Sequence, residues 1–148
     1  MNDTAVILVV DDLADNADLL EAYLVPYGYH IIKASSGAEA LDRIANKTVD
    51  LVLLDVMMPG MDGFEVTRRV RAGTVNRLLP IIMVTSLRET EDRVKGIEAG
   101  CDAFISKPLD KTELLAWVRS LLKTKAYNDL IHDDRKKTES GAIRSRTE

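Results

Sequence analysis

Three short runs are apolar at every position: Ala5 to Val10 (AVILVV), Leu51 to Leu54 (LVLL) and Ile81 to Val84 (IIMV). Each is rich in β-branched residues or leucine and is bounded by polar or turn residues, the pattern of a strand buried on both faces of a parallel sheet. His30 to Ala34 (HIIKA) and Ala103 to Ser106 (AFIS) are two weaker strand candidates. Between the runs, apolar residues fall at helical spacing: Leu20/Leu24 with Leu19/Tyr23, Ala38/Leu41/Ile44/Ala45, Phe64/Val66/Val70, Val94/Ile97, and Leu114/Val118/Leu121/Leu122. Gly28 and Gly100 stand where a glycine closes the first and fourth helices, and Asp110-Lys-Thr-Glu113 has the form of a capping box opening the last. Strand and helix thus alternate as (βα)5. Right-handed crossovers turn such a chain into an α/β fold, a doubly wound parallel sheet with helices on both faces.

The spacing 118, 122, 126, 130 extends the last helix to about Ile131. The stretch that follows, HDDRKKTESGAIRSRTE, is polar and aperiodic and is expected to be a disordered tail or the start of a linker. Residues 1–123 are therefore read as one domain, and 124–148 as a helical extension followed by that tail.

Composition narrows the classes of function. With 148 residues and 46% hydrophobic ones the chain fills one core. No apolar run approaches the length of a membrane span, and the start MNDTAVILVVDD lacks a basic region and cleavage site, so a cytoplasmic protein is expected. A single cysteine, Cys101, allows no internal disulfide. Residues 1–122 carry 13 basic and 19 acidic side chains (−6), whereas 123–148 carry 7 and 5 (+2). An acidic body argues against direct nucleic-acid binding and suits a cation instead.

Ligand sites in such sheets lie beyond the carboxyl ends of the strands, where strand order reverses. The first strand ends in Asp11-Asp12, the third in Asp55, the fourth in Thr85-Ser86 and the fifth in Lys107-Pro108. Taken singly these are ordinary: an N-cap pair, a loop acid, a strand-end hydroxyl and a solvated charge. Together they gather carboxylates, a hydroxyl and an ammonium at one edge. Hard oxygen ligands suit Mg²⁺, and phosphoryl transfer to a carboxylate depends on positioning and charge neutralisation. On that reading Asp11 and Asp12 hold the cation, Asp55 accepts the phosphoryl group, and Lys107 and Thr85 neutralise its oxygens.

The stretches ILVVDDLADN, GAEAL, DLVLLDVMMPGMDGFE, PIIMVTS and GIEAGCDAFISKPLD, with their spacing, resemble the receiver domains of two-component response regulators over about residues 5 to 123. The resemblance implies a flavodoxin-like sheet of order 2-1-3-4-5 and phosphorylation of Asp55. It implies Mg²⁺ (or Mn²⁺) held by Asp12 and Asp55, by Asp11 mainly through water, and by the backbone carbonyl of Met57. It further implies that Lys107 contacts the phosphoryl group, that Lys107-Pro108 is a cis peptide, and that Thr85 moves toward the phosphate on activation. Phe104 occupies the position of the family's rotating switch aromatic, often tyrosine, and Met57 and Leu87 flank the path of the attacking water. The implied partners are a histidine kinase or histidine phosphotransfer protein as donor and a downstream effector or output domain as receiver of the signal. Such a domain is a regulatory phosphoacceptor and not a conventional enzyme.

Other readings are weighed beside this one. VRSLLKTKAYNDLI resembles connectors leading from receivers into cyclic-dinucleotide modules, so the chain is alternatively the receiver portion of a larger regulator. Arg88, Arg93, Lys95, Asp102, Asp110 and Arg119 lie where dimerising receivers exchange salt bridges, which makes a phosphorylation-dependent homodimer an expectation. An aspartyl-phosphate phosphohydrolase needs a second aspartate two residues after the first, and Met57 stands there. A phosphorylation-independent interaction module would have no need of Asp12, Asp55, Thr85 and Lys107 together. His30 and His132 lack the spacing of a metal site. Trp117 reads as helix-face packing, and Met57, Met58 and Met61 as a cover over the pocket.

Overall fold

The structure, a computed structural model, describes residues 4–146, with side chains to residue 131. Five strands, β1 (Val6–Val10), β2 (His30–Ala34), β3 (Leu51–Asp55), β4 (Ile81–Thr85) and β5 (Ala103–Ser106), form one parallel sheet of order β2-β1-β3-β4-β5. Five helices alternate with them: α1 (Ala14–Leu24), α2 (Gly37–Asn46), α3 (Gly63–Ala72), α4 (Thr90–Ala99) and α5 (Lys111–Arg146). The expected doubly wound architecture and strand order are both present.

Alternation along each strand divides the core into two layers. Ile7, Val9, Leu51, Leu53, Ile82, Val84 and Ile105 face Leu20 and Leu24 of α1 and Leu114, Leu115 and Val118 of α5. Leu8, Val10, Val52, Leu54 and Ile81 face Ala40 and Ile44 of α2 and Val66 and Val70 of α3. Each side chain taken fully out of water contributes about 1.5–3 kcal/mol, so this two-sided burial explains why the strands are apolar throughout.

Helix ends follow local chemistry. Ser36 caps α2 by accepting from the Glu39 N–H (3.1 Å), and Asp62 caps α3 by accepting from the Glu65 N–H (2.9 Å). Asp110 Oδ1 accepts from the N–H groups of Thr112 (2.8 Å) and Glu113 (3.2 Å), the forward half of the expected box. Gly100 closes α4 at φ 109°. Gly28 does not close α1 directly: a 3-10 turn, Val25–Tyr27, intervenes before Gly28 at φ 91°. Pro26 lacks the N–H that would continue the α-helical ladder.

The polar stretch after Ile131, expected to be a tail, continues as helix to Arg146. Its side chains lie outside the described ones, and the boundary at 123 is not marked by a break in α5. Among the described residues no helix is long and apolar enough to cross a membrane.

Candidate phosphoacceptor site

Strand register brings the separated residues together. Val10 pairs with Leu54, so Asp11 and Asp55 leave neighbouring strands side by side. Asp55 pairs with Val84, which sets Thr85 one step beyond it on β4. Thr85 in turn pairs with Ser106, and Lys107 follows. A carboxylate oxygen from each of Asp11, Asp12 and Asp55 lies within 4.8 Å of the others. Lys107 Nζ stands 3.4 Å from Asp11 Oδ2 and 3.6 Å from Asp55 Oδ1.

Asp11 and Asp55 are buried, while Asp12 is exposed. Both oxygens of Asp11 have partners, since Oδ1 accepts from the Leu13 N–H (2.9 Å) and Oδ2 faces Lys107. Burial pushes the Asp55 carboxyl up to about 6, with Asp11 and Asp12 adding to the rise while the Lys107 ammonium and the Met57 N–H oppose it. Three carboxylates facing one ammonium leave an excess of negative charge on oxygen donors alone. That donor set fits a hard divalent cation such as Mg²⁺ and offers nothing to a soft one.

Thr85 is fully buried and its Oγ1 accepts from the Leu87 N–H (3.1 Å), which folds the start of the β4–α4 loop back on the strand. The Lys107–Pro108 peptide is cis. Phe104, on β5, packs beside Met83, Phe64 and Ala99 with its ring against α4. Met57 is 62% exposed at the mouth of the site. The other loop methionines do not cover the pocket. Met58 is buried in the α2/α3 layer and Met61 packs against the same layer, because the turn MMPGMDG directs them toward the core.

Two glycines matter to the site in ways the sequence did not signal. A Cβ on Gly63 would lie 2.5 Å from the Asp55 carbonyl oxygen, so the start of α3 rests directly on the backbone of the acceptor residue. A Cβ on Gly96 would lie 2.5 Å from Phe104 Cε2, so α4 is notched where the ring seats. A glycine after a turn and a glycine within a helix read only as local backbone features. Of the residues expected in exchanged salt bridges, Asp102 is taken by Arg71 (2.8 Å), Asp110 caps α5, and Arg88 reaches the Lys107 carbonyl (2.7 Å).

A cleft of about 350 Å³ opens beside the carboxylates, lined by Asp11, Asp12, Lys33, Ser35 and Glu39 among others. Another of about 350 Å³ lies at the opposite edge of the sheet, around Val49, Asp50, Val75 and Lys125. Size therefore does not single out the chemistry; the converging charged groups do.

The family model described as response regulator receiver domain matches residues 7–119. Response regulator PleD of Caulobacter vibrioides (strain NA1000 / CB15N) is 44% identical over 126 residues, which are 85% of this chain and 28% of that protein. Transcriptional regulatory protein ResD of Bacillus subtilis (strain 168) is 44% identical over 117 residues, 79% of this chain and 48% of that one. This chain thus spans from about a quarter to about half the length of these two relatives. Among solved structures, a CheY-like response regulator receiver domain protein from Methanospirillum hungatei JF-1 superposes with a TM-score of 0.79 at 29% identity, covering 85% of this chain and 99% of that one.

Proposed function

The chain belongs to the response regulator receiver domain family, a family of regulatory phosphoacceptors, and on that premise we propose that Asp55 accepts a phosphoryl group from a phosphohistidine. An Asp55 carboxylate oxygen attacks phosphorus, the bond from phosphorus to the donor imidazole breaks, and the imidazole nitrogen takes up a proton. The product is an acyl phosphate. With its carboxyl at about 6, Asp55 is largely ionised at neutral pH and so available as the nucleophile.

Asp11, Asp12 and Asp55, with the Met57 carbonyl, would hold Mg²⁺ or Mn²⁺. A bound divalent cation supplies charge neutralisation to the transferring oxygens. Lys107, whose ammonium lies 3.4 Å from Asp11 Oδ2 and 3.6 Å from Asp55 Oδ1, contributes a second positive charge. Once formed, the phosphoryl group draws the Thr85 hydroxyl toward it. The movement passes through Phe104 to the face of the last two helices, α4 and α5, where an effector or output domain binds. The donor is a histidine kinase or histidine phosphotransfer protein, and the exchange takes place in the cytoplasm.

The observation that supports this reading is the meeting of three carboxylates within 4.8 Å with a lysine ammonium on the acceptor. Intact-mass analysis after incubation with acetyl phosphate and Mg²⁺ tests it. One phosphoryl mass is expected on the wild type and none on Asp55→Asn; equal labelling of both, or of neither, defeats it.

A second reading, the receiver portion of a larger regulator with a cyclic-dinucleotide output module, has the continuous helix α5 in its favour. Pairing of two copies through α4, α5 and that extension on phosphorylation belongs with it. Sedimentation with and without beryllofluoride tests the pairing, an unchanged monomer counting against it.

A further inference from the structure

Lys107 brings the single ammonium that meets the buried carboxylates among the described residues. Where that ammonium can reach depends on how the Lys107 backbone, from which it is carried, is held. Two bonds hold it. The Lys107 N–H donates to the Thr85 carbonyl (2.9 Å), continuing the β4–β5 ladder by one step. On the other side of the residue, Arg88 Nη2 donates to the Lys107 carbonyl (2.7 Å).

Both partners belong to one four-residue segment, Thr85 to Arg88, at the start of the β4–α4 loop. The first and last residues of that segment therefore grip Lys107 from opposite ends. The segment is itself folded by the bond from the Leu87 N–H to Thr85 Oγ1 (3.1 Å). Pro108 has no N–H to anchor the turn that follows. Among the described residues the Arg88 guanidinium is the donor that meets the carbonyl at that turn.

We propose that Arg88 is a positioning residue for phosphoryl transfer: it clamps the Lys107 carbonyl to the β4–α4 loop and thereby fixes the reach of the Lys107 ammonium into the site. The inference rests on the phosphoacceptor reading of Asp55 and assigns to that reaction a residue outside the pocket. Arg88 meets the backbone of Lys107 and is not one of the three clustered carboxylates or the ammonium facing them. Its guanidinium can span the loops because it is planar and carries several donors in a fixed fork. Transfer is sensitive to small displacements of the charges that meet the phosphoryl oxygens, so loosening one end of Lys107 slows the reaction without abolishing it.

Two measurements on Arg88→Ala test this. The rate of labelling by acetyl phosphate at fixed Mg²⁺ is expected to fall about 3- to 10-fold, the scale of a sub-ångström misplacement, and by the same factor at low and high salt. A loss that disappears at high salt makes Arg88 a steering charge and overturns the proposal, as does an unchanged rate. The second measurement is the Lys107 ¹³Cε–¹Hε correlation in protein carrying labelled lysine, without phosphodonor. It is expected to move in Arg88→Ala while the signals of lysines distant from the loop stay in place; an unmoved Lys107 signal overturns the proposal whatever the rate does. Arg88 is exposed, and the dispersed lysine spectrum of the same sample reports that the variant is folded. Should the wild type itself take no phosphoryl mass, the phosphoacceptor reading fails, and the lysine spectrum still decides whether Arg88 places Lys107.

Discussion

Replacing Asp55 by asparagine is expected to stabilise the metal-free protein at alkaline pH, and the size of the effect follows from the burial of its carboxyl. The side chain is 9% exposed and its pKa rises from 3.8 to about 6. That difference corresponds to about 3 kcal/mol held against the ionised form. Because the folded-state value lies above the unfolded one, Asp55 gives its full stability below about pH 4 and loses it as pH rises through about 6. The asparagine amide does not ionise and loses nothing over that range. In EDTA at pH 8 the variant is therefore expected to be more stable by about 2–3 kcal/mol, or roughly 10 °C in Tm for a domain of this size. Near pH 4 the two should melt together. Saturating Mg²⁺ should close the pH 8 gap, since a ligand at 100 times its Kd adds about 2.7 kcal/mol to the protein that binds it. Thermal or urea unfolding across pH with and without Mg²⁺ reads all three. An equal gap at pH 4 and pH 8 would show that shape, not ionisation, separates the variants, and the electrostatic account of the site would fall.

Other outcomes follow from single contacts. Arg71→Ala should cost about 2–4 kcal/mol in urea unfolding, because its guanidinium joins the carbonyls of Leu79 and Gly100 to the Asp102 carboxylate; phosphorylation should be unaffected. Gly63→Ala should both destabilise, by about 1–3 kcal/mol, and slow labelling, since its Cβ would be driven into the backbone of Asp55. A stable variant with a wild-type rate would contradict that contact. Met57→Asn combined with Leu87→Glu should shorten the lifetime of the acyl phosphate by admitting and orienting water. An unchanged dephosphorylation rate would show that the apolar side chains of Met57 and Leu87 do not shield the acyl phosphate from water.

What could be read in the sequence was whatever depends on position along a strand. Apolar runs marked the strands because both faces are covered, and the reactive groups were legible because each directly follows a run. Val10 precedes Asp11, Leu54 precedes Asp55 and Ser106 precedes Lys107. Contacts that join distant backbone to side chain left no such trace. Asp50 accepts from the Val6 N–H (2.8 Å), and Arg71 reaches across 29 residues to Gly100; neither residue differs in sequence from a solvated charge. The role of Gly96 likewise exists only once β5 sets Phe104 against α4. The methionine loop misled for the same reason. A turn motif gives the bend but not which side chains it sends inward, and Met58 went to the core.

Phe104 and Lys107 both come from β5 or its end, and β5 is the shortest strand, four residues paired on one flank alone. A border strand has few ladder bonds to break, so sliding or tilting it demands less free energy than moving β3, which is hydrogen-bonded on both flanks. Amide deuterium uptake should accordingly be fastest in β5 among the strands that carry the site, and it is there that occupancy of Asp55 should alter uptake most.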